Sequence, residues 1–157
     1  MKKMLSVLLA IMMIATLALT GCGQNNDPTP DPAPATRTFT DSLGREVTLP
    51  ANLSKIAISG PLAQIVVFAI APEMMVGIAN GWADEAKGLI PDEYYNLPLL
   101  GQLYGGKGEL NLETLLQSGA EVVIDVGEQK DGMADDLNAL QEQTGIPFVH
   151  IDCYTDS

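Results

Sequence analysis

Two hydrophobic spacings alternate along residues 38–157 of this chain. Residues 38–49, TFTDSLGREVTL, alternate apolar and polar positions around Asp41-Ser42-Leu43-Gly44, which predicts a hairpin with Gly44 at positive φ. Residues 55–59, KIAIS, predict a short buried strand. Gly60-Pro61 then turns into an apolar helix over 62–70, ended by Ala71-Pro72. Residues 75–78 predict a second strand, Asn80-Gly81-Trp82 a loop, 84–89 a short helix and 92–96 a turn. Residues 99–103 predict a third strand running into the glycine-rich loop 104–108.

The stretch GELNLETLLQSGAEVVID, residues 108–125, predicts a helix feeding a strand. Asn111 caps it, Leu112, Leu115 and Leu116 form its apolar stripe, and Ser118-Gly119 stop it before a strand over 121–126. A further helix spans 131–144 with Met133, Leu137 and Leu140 on one face. Gly145 ends it, and 147–151 is another strand. Strands alternating with helices predict an α/β lobe whose mainly parallel sheet carries helices on both faces. In such sheets ligands meet the loops at the carboxyl ends of the strands. Here those loops are Ser59-Gly60-Pro61, Asn80-Gly81-Trp82, residues 104–108 and Gly127-Glu128.

The first residues follow neither spacing. MKKMLSVLLAIMMIATLALT has two lysines before an uncharged apolar run, the n-region and h-region of a secretory signal; a membrane-spanning anchor is the competing reading. Leu19-Thr20-Gly21-Cys22 decides between them, because it resembles the bacterial lipobox, at which the cysteine is lipidated and becomes the first residue. Residues 1–21 are therefore expected to be a lipoprotein signal peptide. Residues 22–37, rich in Pro, Asp and Asn, form a tether, and 38–157 form the folded lobe. Cys153 then lacks a partner within the chain and is expected as a buried thiol near a strand end.

Composition narrows the partners. The 157 residues are 46% hydrophobic and carry a formal net charge of −12, and Lys2 and Lys3 are the only charges before Cys22. Such a body is not drawn to nucleic acid or to an anionic membrane surface. Aromatic residues are few, so any that fall in loops carry more weight as ligand contacts.

The order of parts resembles the amino-terminal half of the ABC-transporter substrate-binding lipoproteins that carry iron-siderophores, haem and cobalamin. TDSLGREVTLP, KIAISGP, GIANGW and above all LNLETLLQSGAEVVID carry the likeness, with Ser118-Gly119-Ala120-Glu121 where the family usually has a Lys-Pro-Asp-like turn. The resemblance implies a Rossmann-like lobe, joined in the family by a long helix to a second lobe that this sequence lacks. It implies Glu113 as the residue that docks onto an ABC permease served by its ATPase. It also implies Trp82 and Tyr104 as faces for a metal-chelate or tetrapyrrole-like ligand, with Ser59 and Gly60 as polar contacts and no cofactor. The protein would sit, lipid-anchored, on the extracytoplasmic face of a bacterial membrane. A lipid-anchored one-lobe sensor or interaction module, not coupled to transport, is the alternative.

Enzyme chemistry finds little footing. His150 is the one histidine, and strand alternation puts it on one face with Asp152 while Cys153 takes the other. The Gly105-Gly106-Lys107-Gly108 cluster lacks the spacing of a phosphate loop. Lys107 reads as a solvated loop lysine. Asp84-Glu85, Asp92-Glu93 and Asp135-Asp136 read as solvated helix faces. The expectation is a binding protein and not an enzyme.

Overall fold

The computed structural model describes residues 35–105 and 109–153. The signal peptide, Cys22, the tether up to residue 34 and the loop residues 106–108 with Lys107 lie outside the described residues.

The hairpin forms as its alternation requires. Strand β1 (Thr36–Thr40) pairs antiparallel with β2 (Glu46–Pro50), and Gly44 turns at φ 75°. Pairing of Thr36 with Pro50 draws Thr36 and Arg37 into β1, two residues earlier than the expected end of the tether. The main sheet is parallel, with β3 (Ile56–Ile58), β4 (Val122–Gly127) and β5 (Phe148–Asp152) in that order.

Two expected strands are reduced to single-residue bridges. Met75 pairs with Ile56, and Ile78 pairs with Leu99, both parallel. Counting these contacts, the order across the sheet is Leu99, the segment 75–78, β3, β4, β5. The chain thus builds outward in one direction from β3, then returns to build outward on its other side. The junction of β3 and β4 is a topological switch point.

Helix α1 (Pro61–Ile70) starts at Gly60 with Pro61 in its first turn and packs Ala63 and Val67 against Ile58 and Val122 on one face of the sheet. Helix α2 (Asp92–Tyr95) is a single turn, and residues 84–89 form only a 3-10 turn at Asp84–Ala86. Helix α3 (Leu112–Gln117) and helix α4 (Met133–Thr144) cover the other face. There Leu115, Met133 and Leu137 meet Ala57, Val123 and Phe148. Asn111 caps α3 as expected, its Oδ1 accepting the Thr114 N–H at 3.0 Å. The stripe of α3 is narrower than expected: Leu115 is buried, Leu112 is half-buried, and Leu116 is 52% exposed. Successive helical residues point about 100° apart, so with Leu115 turned into the core its neighbour Leu116 faces away from it. Cys153 is also exposed, because β5 ends at Asp152 and the chain leaves the sheet there.

The outer edge of β5 is sealed by the turn of the hairpin. Ser42 N–H donates to the His150 carbonyl at 3.0 Å, Asp152 N–H donates to Ser42 Oγ at 3.0 Å, and Arg45 Nη2 donates to the Phe148 carbonyl at 2.6 Å. Asp41 holds the turn together. Its carboxylate accepts from the Leu43 and Arg45 N–H groups, from Arg45 Nε and Nη2, and from the His150 N–H. An open strand edge invites pairing with other chains, and this turn removes it. Burial pushes the Asp41 carboxyl up. The hydrogen bonds from Arg45 and His150 outweigh that and hold it below its ordinary 3.8.

A carboxyl depressed in the folded state stabilises above its unfolded pKa, and that contribution is lost as pH falls through the folded value. Arg45→Ala, which leaves Asp41 buried and short of donors, is expected to cost about 3 kcal/mol in urea unfolding at neutral pH. It also raises the pH at which the lobe unfolds in acid. An unchanged acid midpoint would show that the clamp is not what holds β5.

Candidate functional site

At the switch point, the carboxyl ends of β3 and β4 part around a cavity of about 130 Å3. Ser59 and Gly60 bound it on the β3 side, Asp125 and Glu128 on the β4 side, and Tyr104 and Lys130 close it over. The loop that brings Tyr104 here is tied down at both ends. Leu103 N–H donates to the Ser59 carbonyl at 2.7 Å, and Asn111 N–H donates to the Leu100 carbonyl at 2.7 Å. Gly101, at φ 78°, passes against the Glu109 carbonyl oxygen, where no side chain fits.

The floor is a polar row laid across three strands. Parallel register sets Asp125 beside His150, and Ser59 follows Ile58, the partner of Ile124. Ser59 Oγ donates to Asp125 Oδ1, and His150 Nδ1 meets Asp125 Oδ2 at 2.7 Å. Ser59 is 2% exposed, His150 0% and Asp125 7%. A carboxylate only accepts hydrogen bonds, so the hydrogen between it and the imidazole sits on Nδ1. His150 Nε2 is buried and finds no partner among the described residues.

Above the floor, Tyr104 is half-buried, with its hydroxyl donating to Asp136 Oδ2 at 3.3 Å and the Lys130 ammonium 4.7 Å from its ring centroid. Burial first, then the Asp136 and Asp125 carboxylates, push the Tyr104 phenol well above its ordinary 10.0. It therefore keeps its proton at neutral pH.

Of the expected ligand contacts, Ser59, Gly60 and Tyr104 come together in this cavity, and Trp82 does not line it. The Trp82 ring lies 5.0 Å from that of Phe68, itself 5.9 Å from Tyr94, and Trp82 Nε1 donates to the Tyr94 carbonyl at 3.1 Å. The loop beside it is pinned by buried Gln64, whose Oε1 accepts the Ala79 N–H at 2.8 Å and whose Nε2 donates to the Asn80 carbonyl at 3.2 Å. Glu113 is exposed on the first turn of α3, accepting from Gln117 Nε2 at 3.2 Å beside the exposed Leu116. His150, Asp152 and Cys153 do not converge. His150 is buried beneath the site, whereas Asp152 and Cys153 are exposed.

The sequence reading passed over Asp125 and the partner it gives His150. The signal was one acid inside the apolar run Val122-Val123-Ile124-Asp125-Val126, since an acid is seldom fully buried unless paired. Among the described residues, no group of three or more His, Cys, Asp or Glu side chains is arranged to hold a metal ion.

Replacing Trp82 separates packing from ligand contact. Trp82→Ala is expected to lower unfolding free energy in urea by about 2 kcal/mol, because the Phe68 stack and the bond to Tyr94 go with it. A variant as stable as the parent would return Trp82 to the list of free aromatic faces.

No protein-family profile and no curated protein matches this sequence. Solved structures do. The lobe is similar to an ABC transporter solute binding protein from Sulfurospirillum deleyianum, with TM-score 0.62 and 20% identity over 74% of this chain and 36% of that one. It is similar to a periplasmic solute binding protein from Veillonella parvula, with TM-score 0.58 and 21% identity over 77% of this chain and 36% of the other. It is also similar to the molybdate periplasmic binding protein MolA of Haemophilus influenzae, with TM-score 0.56 and 24% identity over 77% and 36%. This chain thus spans about 36% of the length of each. What these proteins share with it at such identities is the fold: one α/β lobe of the kind found in ABC-transporter solute-binding proteins.

Proposed function

We propose that this lobe is the substrate-binding component of an ABC importer, capturing a solute outside the cell and presenting it to a membrane permease coupled to an ATPase. The observation that carries the reading is the cavity at the β3–β4 switch point, in a fold shared with solute-binding proteins. The neighbours differ in cargo, one being a molybdate-binding protein and another, from Helicobacter pylori, a nickel–histidine complex. The resemblance of LNLETLLQSGAEVVID favours an iron-siderophore, haem or cobalamin-type ligand. The chemistry is capture and release, with no bond made or broken.

Glu113 is the docking residue in this reading. Its carboxylate is exposed on the first turn of α3, where a helix favours negative charge, and Leu116 one turn on adds an apolar contact. Helix α3 runs back from the carboxyl ends of the strands toward the start of β4, so its first turn lies at the same end of the sheet as the cavity. Glu113→Gln is expected to leave the stability of the lobe and its solute binding intact and to cut uptake in cells about tenfold, the loss of one charge-assisted contact. Uptake at the parental rate would remove the docking role and favour the anchored sensor.

Cys22 is the anchor in the same reading, with the acyl chains holding the acidic body to a membrane that its own charge does not seek. Cys22→Ala is expected to move the protein from the membrane fraction to the soluble extracytoplasmic fraction. Retention in the membrane would mean that the apolar run 4–18 itself is the anchor.

A further inference from the structure

The polar side chains around the cavity have mostly spent their hydrogens. Ser59 gives its hydroxyl hydrogen to Asp125, and Tyr104 gives its own to Asp136. His150 Nδ1 turns to Asp125 from behind. What these groups leave to the cavity is lone pairs. An ionised carboxylate offers about four acceptor positions, and two of those on Asp125 are taken, so about two remain. Ser59 and Tyr104 each keep acceptor capacity after donating. Glu128, exposed at the rim, adds another carboxylate.

Donors are present as well. The Lys130 ammonium lies over the Tyr104 ring, on the exposed side of the cavity. Helix α1 begins at Gly60 without a side-chain cap; Pro61 brings no N–H, but the Leu62 and Ala63 N–H groups of its first turn have no partner within the helix. Two carboxylates against one ammonium leave the lining net negative.

We infer that this cavity recognises a ligand through N–H donors, an ammonium or primary-amide group set on the Asp125 carboxylate, and that it prefers such a group there to a free oxyanion. A buried carboxylate facing a bare oxyanion is repulsive in a medium of low dielectric, and one facing an N–H group gains a charge-assisted hydrogen bond. Ser59 and His150 act as positioning residues. They fix the plane of the carboxylate so that its free lone pairs face the cavity. Bare metal ions are poorly served, because the described residues bring no cluster of three ligating side chains together. This ligand class rests on the reading of the cavity as a solute site.

The test is a titration of the full-length chain in mild detergent, followed in 1H–15N spectra at Ser59, Gly60, Gly127 and Glu128. Three probes are used at equal ionic strength: 1,2-diaminoethane as the charged donor, succinamide as the neutral donor and sodium molybdate as the oxyanion. Saturable shifts at these residues with either donor are expected, with molybdate, which Asp125 repels, binding more weakly. The donor that binds tells ammonium from amide. Asp125→Asn is expected to weaken the donor about tenfold, whereas Glu142→Gln, an exposed acid on α4, is expected to leave it unchanged. Should Asp125→Asn fail to fold, Glu128→Gln at the rim gives a smaller loss in the same direction. Molybdate binding tighter than both donors, or no shifts with either donor, overturns the inference. Uptake insensitive to Glu113→Gln, with donor binding retained, instead removes the transport reading and leaves the ligand class standing.

Discussion

Parallel register at the centre of the sheet is the constraint on which the rest of this lobe depends. Because β3, β4 and β5 run side by side in one direction, Ser59, Asp125 and His150 fall at one level on one face. Beneath them the same face is apolar, with Ala57, Val123 and Phe148 on the strands and Leu115, Met133 and Leu137 packed over it from the helices. A one-residue slip of β4 would turn Asp125 to the opposite face, into the Ile58, Val122 and Val149 cluster, and leave Ser59 and His150 without their shared partner. The polar row therefore specifies register as well as lining a cavity. It comes at a cost, since burying the bare Nε2 of His150 forfeits a hydrogen bond with water. That such a network stands at the switch point rather than being replaced by valine or leucine is most simply explained by what Asp125 offers to the cavity.

The clamp at the other edge of β5 serves the same register from outside. Asp41, Ser42 and Arg45 reach only a few residues of chain, and they occupy the Phe148 carbonyl, both backbone groups of His150 and the Asp152 N–H. The edge strand that carries His150 is thus fixed on one side by β4 and on the other by a turn from the far end of the lobe. This explains how a short hairpin at the start of the fold bears on a site built by later strands.

Local signals in the sequence were strong wherever structure is decided locally. Asn111 as a cap, Gly44 at positive φ, Gly145 as the end of α4 and Met133 with Leu137 on one face of α4 were all legible, because each depends on neighbours within a turn or two. The carboxyl-end loops were legible as a set, and three of the four meet at the cavity. What failed depends on distant partners. Residues 75–78 and 99–103 have strand composition but pair through single bridges at the edge of the sheet. Trp82 looked like a free loop aromatic until Phe68 and Tyr94 closed on it. Asp125 and His150, 25 residues apart, could not be paired from spacing, because only the crossover through α4 sets them side by side.

The placing of Tyr104 over the cavity has a backbone cause. Leu103 bonds to the carbonyl of Ser59, and Asn111, which caps α3, bonds to the carbonyl of Leu100. The segment from Leu100 to Asn111 is thus fastened at the cavity and at the start of α3, and it carries Tyr104 between those fastenings. Glu113 follows two residues after the cap. The run leading into Tyr104 contains Gly101, held where a side chain would strike the Glu109 carbonyl. With Gly101 confined and Leu103 tied to Ser59, the backbone entering Tyr104 has one path, and that path sets the phenol against the cavity.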